Sequence, residues 1–302
     1  FTFSLVGIIA LSSGYYDDQG RTILFLGTLI MIALIVVTLL RWIAHLSTFG
    51  RMADIIDRVE AAASKTLTTY AASPSLGAQT VDSLDVVGEP IPSQESGYVT
   101  FVDVAGLEQI ASRLGGEIQV LALAGQYSDT VAPLAVIRGR NSPDEETRDA
   151  VVRAFRIEAH RTYEQDPRLG MIALAEIGSR ALSPSTNDAG TAIEILSVLQ
   201  RVLSKALTTA PDHAVTYPHL WIRPVALTDL ITDAFRPIAR DGAGIIEVQI
   251  RLQKCLASLA AAAPQHAHLF ASAADRAHNY TRHTLSDEER KELGEVRRTI
   301  WD

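Results

Sequence analysis

TILFLGTLIMIALIVVTLL, residues 22–40, carries no charged side chain over nineteen positions. As a helix rising about 1.5 Å per residue it covers about 28 Å, against a bilayer hydrocarbon core of about 30 Å. A buried core helix of this length would show a polar stripe, and this one shows none. The stretch therefore predicts a transmembrane helix. A signal peptide is the rival reading, but no A-x-A-like cleavage site follows, and Arg41, Trp42 and His45 supply interfacial anchors.

Upstream, FTFSLVGIIALSSG (1–14) is apolar but too short to span, since about fourteen residues reach only about 21 Å. It reads as the end of a longer transmembrane segment, with YYDDQGR (15–21) as the turn of a hairpin. Basic residues favour the cytoplasmic side, and Arg41, Arg51, Arg58 and Lys65 follow the second segment. This orientation places residues after about 45 in the cytoplasm. A lone Cys255 fits a reducing compartment and excludes a disulfide framework. A formal net charge of −8 without a long Lys/Arg run argues against a nucleic-acid partner.

Downstream, residues 46–72 predict a helix leaving the membrane. Met52, Ile55, Ile56, Val59 and Ala63 recur at three-to-four spacing, so their apolar face needs a cover, either copies of the chain or the cytoplasmic domain. SPSLGAQTVDS (73–83) has the composition of a linker. Short β-rich runs separated by Gly and Pro fill 84–139, with one helical turn, LEQIASRL, among them. ALAGQYSDTVAPLAVI (122–137) resembles half of a barrel-sandwich hybrid, the fold of lipoyl and biotinyl carriers. No Lys lies between Lys65 and Lys205, so no lysine-borne cofactor is expected there.

From Ser142 the pattern is helical, with Ser142 as N-cap, Pro143 in the first turn and Glu145 three residues on. That helix is expected to run through Ala150, Val151, Ala154 and Ile157. Further helices are expected near 168–182, 189–207, 226–240, 243–262, 267–284 and 287–300, the last opened by a Ser286/Glu289 capping box. AVTYPHLWIRP (214–224) alternates as a strand, with Leu220 and Ile222 inward. The fold class expected is an α+β membrane protein with N-terminal transmembrane helices, a small barrel-sandwich-like β module, and a C-terminal helical domain with a short strand. The expected divisions are 1–47 (hairpin), 48–83 (juxtamembrane helix and linker), 84–141 (β module) and 142–302 (helical domain).

Two polar turns, RTYEQDPRLG (161–170) and SPSTNDAGTA (183–192), interrupt the helical region. Each has a plain structural reading. Asp166 before Pro167 can cap the following helix, as can Asp188 with Thr191 or Ser183 with Pro184. What caps alone do not explain is the density of Arg161, Glu164, Gln165 and Asp166 in one turn and Ser183, Ser185, Thr186, Asn187 and Asp188 in the other. A ligand or ion site is the alternative, with Arg180 close by in sequence. If 168–182 is one helix, about 22 Å separates the turns, and they cannot share a ligand within one subunit.

These two motifs, R-T-Y-E-Q-D-P and R-A-L-S-P-S-T-N-D, resemble the core of a bacterial family of predicted membrane proteins, domain of unknown function 2254. That family's pattern reads R-T-F-E-Q-D-P and A-L-S-P-x-x-N-D, so Tyr163 is a mild departure. GYV (97–99) and IRPVALTDLITDAFRPIARDGA (222–243) extend the resemblance along essentially the whole chain. The resemblance points to Arg161, Thr162, Glu164, Gln165, Asp166, Arg180, Ser183, Pro184, Asn187 and Asp188. It implies a protein of the bacterial inner membrane with further membrane helices than the two read here, and no known activity.

Other chemistry is thinly supported. His160 and Glu164 would share a helix face but lack a third ligand, so no metal site is expected. Gly-rich phosphate loops, G-x-S-x-G and H-E-x-x-H are absent from the sequence. The first functional expectation is a homo-oligomer in the lipid bilayer, its helices surrounding a pathway for ions or small solutes, with Thr22, Thr28 and Thr38 as the only polar groups to line it. The second is a membrane-tethered ligand sensor or assembly scaffold. A hydrolase using Glu164 and Asp166 is a distant third, because no nucleophile or metal set accompanies them.

Overall fold

The computed structural model describes residues 18–48, 52–81, 87–139 and 142–301, and divides the chain into two compact units, 1–57 and 58–302. In the first unit, helix α1 runs from Asp18 to Thr48. Within it, Phe25–Ile43 is long and apolar enough to cross a membrane, with a mean hydropathy of 2.3, and none of it is buried in the protein. Ile23, Phe25, Ile30, Leu34 and Leu40 are all more than half exposed. The first segment of the expected hairpin lies outside the described residues. The end of its expected turn, 18–21, is helical instead, because the apolar run beyond it propagates hydrogen bonding back through Gln19 and Gly20.

The second unit begins within helix α2 (Met52–Ala72). The expected linker 73–83 contains a strand, β1 (Ala78–Thr80), followed in order by β2 (Glu89–Pro92), β3 (Gly97–Val102), α3 (Val104–Leu114), β4 (Glu117–Val120), β5 (Tyr127–Ser128) and β6 (Pro133–Arg138). Helix α4 (Glu145–Arg153) leads into β7 (Phe155–Glu158), helices α5 (Leu169–Ala181) and α6 (Ala189–Leu207), and strand β8 (Tyr217–Ile222). Helices α7 (Leu227–Asp241), α8 (Ile246–Ala262), α9 (Ala267–Tyr280) and α10 (Asp287–Trp301) complete it.

The strands form a five-stranded sheet, β1-β8-β4-β6-β2, and a three-stranded sheet, β5-β3-β7. β8 runs parallel to both β1 and β4, whereas the β4/β6 and β6/β2 pairs are antiparallel. Here the barrel-sandwich expectation fails. Parallel pairing needs long crossovers rather than hairpins, and the crossover to β8 passes through helices α4 to α6. The larger sheet thus takes strands from outside 84–141. LEQIASRL is no single turn but most of the eleven-residue α3, capped by Asp103, whose carboxylate accepts from Gly106 N.

Ile118, Val120, Leu220 and Ile222 face one core with Leu107 and Ile110 of α3, Val99 and Val102 of β3, and Phe155 of β7. Leu220 and Ile222 are inward, as their alternation predicts. That core explains why the helix begun at 145 stops at Arg153. Phe155 and Ile157 pair with Val102 and Val99, and tertiary pairing overrides the helical period of the local sequence. The helix also starts later than expected. Asp144, not Ser142, is the N-cap and accepts from Thr147 N at 2.9 Å.

The helical part follows the expected boundaries closely. α5 packs on α6 and α7, α6 on α8, and α9 on α7 and α8, burying Ile195, Leu196, Leu199, Leu252, Leu256 and Phe270 almost completely. The Ser286/Glu289 box closes as read, with Glu289 N donating to Ser286 Oγ and Ser286 N to the Glu289 carboxylate.

Helix α2 joins this unit by close approach. A Cβ built on Gly170 would lie 2.7 Å from the Ala63 Cα and closer still to the Ala63 methyl, so α2 and α5 meet where residue 170 has no side chain. Helix propensity alone favours Gly170→Ala by about 1 kcal/mol. The contact with Ala63 is expected to reverse that sign. A lower thermal unfolding midpoint for Gly170→Ala is the predicted result, and a higher one contradicts the packing.

Candidate functional site

The turn between β7 and α5 is where the sequence concentrates its polar groups. Asp166 is 1% exposed, and its two carboxylate oxygens divide their work. Oδ2 accepts from Arg161 Nε at 2.7 Å, and Oδ1 accepts from Arg168 N and Leu169 N at 3.0 and 3.2 Å. Asp166 therefore caps α5, as Asp-Pro predicts, and also pairs with a cation. Arg161 is itself largely buried, its side chain 19% exposed. The loop after β4 closes over this carboxylate through Gly125, whose φ of +93° suits glycine and where a Cβ would stand 2.6 Å from Oδ1.

The neighbours of Asp166 tie separate elements to it. Gln165 behaves as a short strand, its Oε1 accepting from Val102 N at 2.8 Å and its Nε2 donating to Val102 O at 3.3 Å. Both backbone groups at the end of β3 are satisfied by one side chain. Glu164 pairs with Arg156, which also donates to Thr100 Oγ1 at 3.1 Å and lies over the Phe101 ring. Tyr163 O accepts from Thr66 of α2. The Thr162 hydroxyl is buried with no hydrogen-bond partner among the described residues. Arg168 reaches α7 in a two-pronged pair with Asp233, at 2.6 and 3.0 Å.

Tyr70 makes a further tie from α2. Its hydroxyl accepts from Val225 N at 2.7 Å and donates to Val225 O at 3.3 Å, and burial pushes the phenol up to about 12, so it stays protonated. The expected pairing of His160 and Glu164 on one helix face does not form, because both lie in the turn. Among the described residues no group of three or more His, Cys, Asp or Glu could hold a metal ion.

The second turn is built differently and lies at the surface. Asp188 caps α6, accepting from Thr191 N at 3.0 Å and Thr191 Oγ1 at 2.6 Å. Those bonds hold its carboxyl below the ordinary value, so the cap is present above the unfolded value, about pH 4, and is lost as pH falls through the lowered one. Ser183 O accepts from Thr186 N and Asn187 N, and Asn187 adopts a φ of +47° that Asn tolerates better than most residues. Pro184, Ser185, Thr186, Asn187 and Asp188 are exposed, and Arg180 is exposed on α5. Thirteen residues of α5, about 20 Å, separate this turn from Asp166. The two motifs are two places. In α1 the hydroxyls of Thr28 and Thr38 donate to Phe25 O and Leu34 O of their own helix.

These features define an α+β protein with mixed sheets, packed helices and, among the described residues, one apolar helix near the N-terminus suited to a membrane. The chain belongs to the family of predicted membrane proteins designated domain of unknown function 2254, whose profile matches residues 1–258. An uncharacterised protein of Mycobacterium bovis and another of Mycobacterium tuberculosis are each 30% identical to it over 128 residues. That stretch is 41% of this chain and 25% of either relative, so the match spans about a quarter of the relatives' length. No solved structure matches the chain.

Capping by Asp166 alone would make Asp166→Ala cost about 1 kcal/mol and Asp166→Asn much less. With Arg161 paired beneath it, Asn leaves a largely buried guanidinium uncompensated. Both variants are expected to lose about 3 kcal/mol in urea unfolding of the detergent-solubilised protein. A near-native Asp166→Asn contradicts the pair. Tyr70→Phe is expected to cost about 1–2 kcal/mol, because Val225 N loses its acceptor, and an unchanged unfolding midpoint contradicts that bond.

Proposed function

We infer that this protein is anchored in the bacterial inner membrane by α1 and that its second unit serves in the cytoplasm as a ligand-sensing or assembly module. The observation that carries this reading is the contrast between the two units. α1 exposes apolar side chains all round, which suits contact with lipid or neighbouring helices. In the second unit, the acid–base groups that a hydrolase would use, Glu164 and Asp166, are each engaged in an ion pair. Asp166 is also closed off from solvent, which leaves little room for chemistry at that turn.

The cytoplasmic orientation rests on the Arg and Lys residues that follow α1. Association of copies would draw on the exposed faces of α1 and on Ile55, which is 43% exposed on α2. A pathway for ions or small solutes between such copies is the second reading. It is favoured by the same all-round exposure, but Thr28 and Thr38 already spend their donors within the helix, so its wall would be almost wholly apolar.

Reconstituted protein separates the two. It is expected to stay with vesicles through an alkaline carbonate wash and to leave their ion leak at the protein-free rate. A protein-dependent leak favours the pathway, and release by carbonate removes the anchor.

A further inference from the structure

The parallel strands β4 and β8 end side by side, and their outgoing chains separate at Leu121 and Arg223. Between them lies a cavity of about 150 Å³, room for several water molecules at about 30 Å³ each. Crevices beyond the carboxyl ends of adjacent parallel strands are the usual ligand sites of open α/β sheets. Of the two polar motifs Arg168 contributes to its lining, and Gly125 shelters Asp166 behind the wall.

The wall is built for negative charge. Arg168 enters it from the start of α5, held in place by its paired bonds to Asp233. Arg223 enters from the end of β8, exposed and with no hydrogen bond or ion pair among the described residues. The first turn of α7 also opens on the cavity at Ala226, and no side chain caps that helix. Its unmet N–H groups and dipole add positive potential to that of the guanidiniums. Asp233 already offsets Arg168, and Asp229 opposes the remaining positive charge from the same turn. The attraction for a small anion therefore rests on Arg223, the helix start and the free edge of the Arg168 guanidinium. Val120, Leu121, Leu123, Pro224 and Val225 supply apolar lining, and Gln126 adds a further polar side chain.

We propose that this cavity binds a small anion bearing one carboxylate or phosphate group, with Arg223 as the cation that closes on it and Arg168 as the fixed one. The site gives the sensing role above its ligand class, and it rests on that reading for its biological meaning only.

The test is calorimetric titration of the full chain in uncharged detergent with sodium acetate, inorganic phosphate and, separately, a short-chain phosphatidylglycerol. Saturable binding of acetate or phosphate supports a free anion as ligand, and saturation by the lipid alone assigns the phosphate to a headgroup. Arg223→Gln is expected to weaken binding about tenfold or more, Arg223→Lys to recover part of it, and Asp229→Asn to tighten it. Arg223 is exposed, so an unchanged thermal midpoint is expected to accompany the loss. Absence of saturation by all three probes up to about 10 mM, affinity indifferent to Arg223→Gln, or weakening by Asp229→Asn overturns the site. Carbonate extraction of the same preparations keeps the two readings apart. Membrane-bound protein that binds none of the probes loses the cavity proposal alone, whereas wild-type protein released by carbonate loses the anchor.

Discussion

A carboxylate closed off from water at 1% exposure must be matched on every side, and Asp166 organises the second unit by that requirement. Its two oxygens take one guanidinium and two backbone N–H groups, which fixes where α5 begins and where Arg161 must lie. Gly125 has to come without a side chain, because the carboxylate occupies the place of its Cβ. The residues on either side then have defined directions. Gln165 is aimed at the end of β3, Tyr163 O at α2, and Arg168 at α7. A ten-residue turn thus joins both sheets' surroundings to three helices. Burying such a pair is costly and contributes little net stability by itself; what it supplies here is a single allowed arrangement of the elements around it.

The same logic explains why two motifs so similar in composition have different fates. SPSTNDAGTA holds its groups in local bonds, Ser183 O to Asn187 N and Asp188 to Thr191, and stays in solvent. RTYEQDPRLG adds to its local pairs three long-range ones, from Tyr163 O, Gln165 and Arg168, to residues between about 60 and 100 positions away in the chain. Density of polar side chains is shared; reach is not. The site proposed beside this turn uses a residue from its edge, Arg168, and one from the end of β8, neither of which the pattern of carboxylates and amides brings forward.

What could be read from the sequence was what depends on neighbours along the chain. The apolar run at 22–40, the helices from α5 to α10, the alternation that turns Leu220 and Ile222 inward, and the Ser286/Glu289 box are all local signals. Asp166 and Asp188 as caps belong with them. The partner of Asp166 did not, since Arg161 lies five residues back across a turn with no periodicity to mark it. β1 is three residues long and exists because β8 lies alongside, so a linker composition was all its own sequence displayed. β7 reads as the continuation of a helix until Val99 and Val102 are beside it. The barrel-sandwich likeness failed for the same reason, because parallel pairing is a property of the crossover and not of either strand.

Native-state hydrogen exchange followed residue by residue tests the central role of the turn most directly. The amides of Val102, Arg168 and Leu169 donate to the side chains of Gln165 and Asp166. If these side chains hold the unit together, the three amides exchange as slowly as those in the core of α6, because only global opening frees them. Exchange as fast as at Ser185 and Thr186 of the surface turn would show that the turn opens on its own, and the account built on Asp166 would be wrong.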